Sequence, residues 1–299
     1  MFSFQLPIRT YLILSSVSKQ VAIKCEKRGV KDHRLRHEYK VYRELQTAPG
    51  FAKCYYFGLQ NSYNLFVMDL LGPSLEDQFD KCGRKFSLKT VLKIADQILE
   101  RVEWMHSRNI LHRDIKPANF VTDGGRDNGN LIYCIDFGLS MRYRHSQTLQ
   151  HSRQVEGCPF IGTARYASIN NHLGIKQSRR DDVESIGYVL IYFLKGGLPW
   201  QSLKANSTSK NKRILKKKQS VTIPELCRDC PNQFVEYFTH CRSLAFDADP
   251  NIPYLRGMFR DLFHSQGYTI NHSNIDWDWN KFEKDAGNAV DSIPGVQKE

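Results

Sequence analysis

The 299-residue chain has no long apolar run; its purely apolar stretches are as short as Tyr188 to Leu194. A membrane-spanning helix needs roughly 20 such residues, so no span is expected. The N-terminal residues are partly apolar but carry no basic n-region, and Gln5, Pro7 and Arg9 interrupt them, so no secretion signal is expected. Of the eight cysteines only Cys227 and Cys230 form a C-x-x-C pair. Joining them with His240 and Cys241 as a zinc site fits no common ligand spacing. Reduced thiols in a cytoplasmic or nuclear protein are the expectation. Glycine is missing before Gly29, and acidic residues are missing from Lys204 to Lys218, "KANSTSKNKRILKKK", which holds seven basic ones. That run also lacks the interleaved aromatics on which bases stack, which argues against nucleic acid as the partner.

What is present is ordinary for a globular protein: 41% hydrophobic and 25% charged residues, enough chain for one large domain or two lobes. The formal charge of +12 points to anionic partners: nucleic acid, a membrane surface or an acidic protein. Residues 11–25 and 53–69 read as strands. Lys31 to Gln46 reads as a helix with Leu35, Tyr39, Tyr42 and Leu45 on one face. After Gly72-Pro73 the character changes. Ser87 can cap a long helix striped by Val91, Ala95, Ile98, Val102 and Met105. Short strands are expected around Ile110, Phe120 and Leu131–Ile135, then a helix from Asp182 to Leu194 that stops at Gly196-Gly197. The plan is α+β and bilobal, with a small β-rich lobe over about 1–71, a larger mainly helical lobe over about 72–283, and a short tail over 284–299.

The chemistry is concentrated in "HRDIKPANF", His112 to Phe120, and in "CIDFGLS", whose Asp136 follows Asp114 by 22 residues. This is the H-R-D-x-x-x-x-N and D-F-G pair of a protein kinase. Phosphoryl transfer needs a carboxylate to accept the hydroxyl proton, here Asp114, and oxygen ligands for magnesium, here Asn119 and Asp136. Lys116 can neutralise charge on the moving phosphoryl group. Upstream, Val21-Ala22-Ile23-Lys24 ends a strand in the lysine that anchors the nucleotide phosphates. Glu38 on the following helix is its expected ion-pair partner, with Glu44 as the rival.

Beyond this, "VMDLLGPSLED" (67–77), "GTARYASINNHLGIKQSRRDDVESIGYVL" (162–190) and "YLRGMFRDLF" (254–263) resemble the casein kinase I family over roughly residues 19–283. The Ser168-Ile169-Asn170 triplet stands where most protein kinases carry A-P-E. The resemblance implies a Ser/Thr protein kinase using ATP and Mg2+. It implies Met68 as gatekeeper, the backbones of Asp69 and Leu71 gripping adenine, and Ala22, Val121 and Ile135 enclosing the ring. Its substrates would be proteins with acidic or phosphorylated residues upstream of the target. A basic pocket of Arg165 with Lys217 or Lys218 would read that anion, and the protein would act as a monomer.

The sequence departs from the family in several places. Met141 and Cys158 replace two lysines of the expected pocket, and Ala118 replaces the acid before Asn119. Residues 1–10 offer neither a first strand nor a glycine-rich loop over the phosphates, so transfer is expected to be slow. A kinase-fold binding protein is the alternative. The C-terminal tail is too short for a long regulatory extension.

Overall fold

The structure is a computed structural model and describes residues 20–29, 33–124, 131–201, 203, 207–269 and 277–280. The smaller lobe is a three-stranded antiparallel sheet carrying one helix. Its strands are β1 (Val21–Lys27), β2 (Cys54–Gln60) and β3 (Tyr63–Asp69), in the order β1-β3-β2. Register pairs Ala22 with Met68 and Lys24 with Phe66. The stretch 53–69, read as continuous strand, is a hairpin instead. Asn61 takes a left-handed φ of 53° at its tip, a conformation asparagine tolerates better than most residues.

Helix α1 (Leu35–Leu45) lies on the sheet with Leu35, Tyr42 and Leu45 buried. Tyr39 is only half-buried and stacks on Phe57, with ring centroids 4.8 Å apart. The described helix begins at Leu35. There the buried Glu26 carboxylate accepts from the N–H groups of Arg34 (2.9 Å) and Leu35 (3.0 Å), satisfying donors that a helix start leaves open.

The larger lobe follows with α2 (Leu75–Lys81), α3 (Leu88–Ser107), β4 (Ile110–Leu111), β5 (Phe120–Thr122), β6 (Ile132–Cys134) and β7 (Met141–Arg142). Then come α4 (Ile169–His172), α5 (Arg179–Lys195), α6 (Ser207–Ser220), α7 (Ile223–Leu226), α8 (Asn232–Ser243) and α9 (Ile252–Ser265). Strand β4 pairs with β7, and β5 with β6, so the loops that follow β4 and β6 are held beside each other.

The apolar stripe of α3 is wholly buried, and Ser87 caps it by accepting from the Thr90 N–H at 3.3 Å. Helix α5 is buried almost from end to end. It forms the central post, and α3 and α8 both pack against it. It starts at Arg179, three residues before the expected Asp182. The Asp181 carboxylate fixes that start by accepting from the Ser178 N–H at 2.7 Å.

Residues 277–280 close the base of α3. Asp278 accepts from the Ser87 N–H (2.6 Å) and hydroxyl (2.9 Å). Trp277 and Trp279 stack with centroids 4.6 Å apart, and Trp279 packs on Phe86. Trp279 is 3% exposed, so Trp279→Ala leaves a large cavity and should cost about 3–5 kcal/mol. A lower urea midpoint with an unchanged slope is the expected reading; an unchanged midpoint would show that this segment is not part of the core.

Candidate active site

The loop after β4 carries His112, Arg113 and Asp114, and its shape is imposed from below. The buried Asp182 carboxylate on α5 accepts from the backbone N–H groups of His112 and Arg113, each at 2.9 Å, and from His106 Nε2 at 3.0 Å. Burial alone would raise the Asp182 pKa; the hydrogen bond and charge of His106 outweigh it and hold the carboxylate below its usual range. Arg113 adopts a left-handed φ of 66°, and its guanidinium donates to Leu139 O at 2.7 Å.

Asp114 is 7% exposed. One of its oxygens accepts from Lys116 Nζ at 2.6 Å and the other from the Thr163 hydroxyl at 2.7 Å. Asn119 sits on a single 3-10 turn, Pro117–Asn119, and its amide nitrogen donates to Asp114 O at 2.9 Å. Gly162 has φ +104°, and a Cβ there would lie 2.5 Å from Arg113 O. A side chain at 162 is therefore excluded, and only glycine lets the 162–163 backbone approach this loop.

Asp136 follows β6 with φ 68° and ψ 71°, and its N–H donates to the Tyr42 hydroxyl at 3.2 Å. Such a conformation in a residue other than glycine marks strain held by its surroundings. Phe137 is buried next to it, 4.6 Å from the Tyr42 ring and 5.6 Å from His112. The stack ties α1 to both motif loops. Lys24 is ion-paired with Glu38, both buried, while Glu44 pairs with Arg142 at 2.5 Å.

The positions expected around adenine lie along the junction of the lobes. Ala22 and Met68 are buried cross-strand neighbours on the sheet, Val121 is buried on β5, and Ile135 follows β6. The Asp69 carboxylate is occupied by Lys53 N (2.9 Å) and the Tyr55 hydroxyl (2.5 Å), and its N–H by Lys53 O (3.0 Å). Among the described residues the Leu71 N–H has no acceptor. The phosphate-covering segment expected to be degenerate, residues 1–10, lies outside the described residues.

A cavity of about 510 Å³ opens beside Asp114 and is lined by Lys116, Thr163, Arg165, Lys210, Glu76 and Trp200, among others. The expected basic pocket is corrected here. Lys218 is fully buried, and its ammonium donates to Ala164 O (3.1 Å) and Ala167 O and lies over the Tyr188 and Trp200 rings. It braces the loop bearing Arg165 from behind and cannot meet a substrate anion. Lys217, half-buried, does not line the cavity either. Lys210, two turns earlier on α6, does. The missed signal is periodic: Lys210, Ile214 and Lys218 form one i, i+4, i+8 row, and Ile214, more deeply buried than the neighbouring Leu215, puts that row on the inward face.

A family model for the protein kinase domain matches residues 10–245. The chain belongs to the protein kinase family. The kinase therefore is a phosphotransferase that acts on proteins and uses ATP with a divalent metal.

Burial pushes the Lys218 pKa down to about 7, with Glu184 opposing and Arg242 adding to the fall. Between about pH 7 and 10.5 the unfolded kinase holds a proton that the folded one has released, so this group makes stability rise with pH across that window. Below pH 7 the cost of burying the charge is present in full. Lys218→Met should abolish that contribution, so the stability advantage of the wild type over the variant should grow from pH 6.5 to 9. A difference that stays flat across that range would refute it.

Proposed function

We propose that this kinase is of the casein kinase I type and transfers the γ-phosphoryl group of Mg2+-ATP to serine or threonine residues preceded by acidic or phosphorylated ones. The cavity beside Asp114 carries this reading. Three cations, Lys116, Arg165 and Lys210, line it against one carboxylate. That carboxylate, on Glu76, is already engaged by the Tyr192 hydroxyl at 2.6 Å. An anion on the substrate suits such a surface, and a guanidinium binds phosphate through two parallel N–H donors.

Asp114 would accept the proton of the attacking hydroxyl, which must displace or join the Thr163 hydroxyl at its Oδ1. Lys116 would meet the charge on the transferring group. Lys24, fixed by Glu38, would orient the α- and β-phosphates. The Leu71 N–H is a donor of the kind an adenine ring requires, while Ala22, Met68, Val121 and Ile135 supply apolar surface.

Asn119 and Asp136 fit a hard divalent cation. Both offer oxygen, and the Asn119 amide nitrogen, donating to Asp114 O, leaves its Oδ1 without a donor among the described residues. Mg2+ held there would neutralise phosphate charge. Ser/Thr selectivity rests on the family resemblance and on Lys116 beside Asp114.

Asp114→Asn and Asp136→Asn should each abolish phosphorylation of casein while circular dichroism remains that of the wild type. Wild-type turnover by either variant would remove these residues from the chemistry. Arg165→Ala and Lys210→Ala should each lower kcat/KM for a peptide primed with phosphoserine by about tenfold or more, since a charge-assisted hydrogen bond contributes about 1.5–3 kcal/mol. The unprimed peptide should lose much less. Equal losses on both peptides would mean that the cavity does not read the substrate anion.

A further inference from the structure

A second cavity, of about 550 Å³, is formed by the segment after β7. Here the chain doubles back in a hairpin. Arg144 bridges to His151, the Ser152 N–H donates to Tyr143 O (2.8 Å), and the His145 N–H donates to Gln150 O (2.9 Å). Arg142, Arg144, Arg153, His145, His151 and Ser152 line the cavity, and no carboxylate does. It shares no residue with the cavity beside Asp114.

The three arginines are not equivalent. Arg142 is a fixed wall, held by Glu44 at 2.5 Å and by Arg108 O at 3.3 Å. Arg144 lies over the Tyr143 ring at 5.3 Å, and neither it nor the exposed Arg153 has a carboxylate partner among the described residues. Two arginines thus line one cavity with no hydrogen-bonding partner for their guanidinium groups among the described residues.

The histidines and the serine add a second, independent sign. His145 Nδ1 accepts from the Gln147 and Thr148 N–H groups, which leaves the proton on Nε2. His151 Nδ1 donates to Ser152 O at 2.8 Å, and its Nε2 is buried without a partner among the described residues; Ser152 Oγ is in the same position. Buried polar atoms left unpaired cost about 1–3 kcal/mol each and are rare in folded proteins. A phosphate that keeps one proton gives both atoms a partner: its P–O–H donates to Nε2, the ring's N–H being spent at Nδ1, and another of its oxygens accepts from the Ser152 hydroxyl.

We propose that this hairpin cavity is a second phosphate-binding site, taking a tetrahedral phosphate that retains one proton, either on a phosphoserine or phosphothreonine side chain or as the free ion. Arg144 and Arg153 supply paired donors; His151 and Ser152 complete the shell. The site's floor, Tyr143, donates its hydroxyl to His106 O at 2.7 Å, and His106 holds Asp182. An occupant therefore rests on the same framework that shapes the catalytic loop.

Calorimetric titration of the full chain with a phosphoserine peptide, its unphosphorylated parent and inorganic phosphate tests the proposal. Two phosphopeptides per chain are expected for the wild type and one for the double variant R144A/R153A. That variant should still phosphorylate an unprimed peptide at the wild-type rate, which also reports that it folds. R144K/R153K, which keeps the charge, should retain the second site within about tenfold in affinity. Inorganic phosphate binding as tightly as the peptide identifies the free ion as ligand, and peptide binding at least about tenfold tighter identifies a phosphoprotein. Unchanged stoichiometry and affinity in R144A/R153A overturn the proposal. Arg165→Ala separates the two cavities: if it leaves binding intact while R144A/R153A removes a site, the substrate reading fails and this one stands.

Discussion

The Asp182 carboxylate, buried in the first turn of α5 and bonded to His112 N–H, Arg113 N–H and His106, is the contact on which the geometry of the His112–Asp114 loop depends. Taking an anion out of water is costly, several kcal/mol even after relaxation, unless donors replace the lost hydration. The arrangement therefore exists only when the loop presents both backbone donors together. That requirement forces Arg113 into its left-handed conformation and sets where Asp114 begins. A buried charge acts here as a template: misplacing the loop would leave it unpaired. Asp181, beside Asp182, is also buried and receives the Ser168 hydroxyl (2.5 Å) and the Ser178 N–H (2.7 Å), but burial pushes its pKa up to about 7.

From that base the constraint passes upward through rings. His112 meets Phe137, Phe137 meets Tyr42, and Tyr42 meets Phe66 on the sheet. Tyr42 is one helical turn from Glu38 on α1, so the packing that seats Phe137 also brings Glu38 to Lys24. The Tyr42 hydroxyl accepts from the Asp136 N–H as well, so one side chain positions the proposed phosphate anchor and the proposed metal ligand together. Such coupling follows from close packing, where a displaced ring leaves a void instead of sliding.

Much of this was legible in the sequence, for a physical reason. The motif loops are short, and their functional side chains lie within a few residues of one another, so spacing alone places Asp114, Lys116 and Asn119 together. The stripe of α3 is equally plain because every turn repeats it. Three features were not legible. The turn at Asn61 is marked by no glycine or proline. Asp182 looks like any acidic residue at a helix start, and only the fold shows that it is buried beneath another loop. Lys218 and Lys210 belong to one basic run, and counting charge cannot tell which lysine faces solvent. The phase of α6 decides that, and the adjacent Ile214 and Leu215 lie on different rows, so the sequence alone leaves it open.

The segment from Asp136 to Ser168 shows how these contacts combine. Its first part is held by His37 Nε2, 3.0 Å from Ser140 O, and by Arg113 at Leu139 O. Its last part is held by Trp200 Nε1 at Arg165 O (2.7 Å), by Lys218 at Ala164 O and Ala167 O, and by Ser168 at Asp181. Unmodified side chains make all these contacts, and most end on backbone carbonyls, which any sequence supplies. In many kinases an added phosphate orders this segment by recruiting arginines. Here Arg113, next to Asp114, is committed to a carbonyl, and the Ser168-Ile169-Asn170 triplet anchors its end of the segment through a hydroxyl on a buried aspartate. The stability of this arrangement therefore comes from the elements around it, α5 and α6 above all, which leaves Arg144 and Arg153 at the hairpin free of that task.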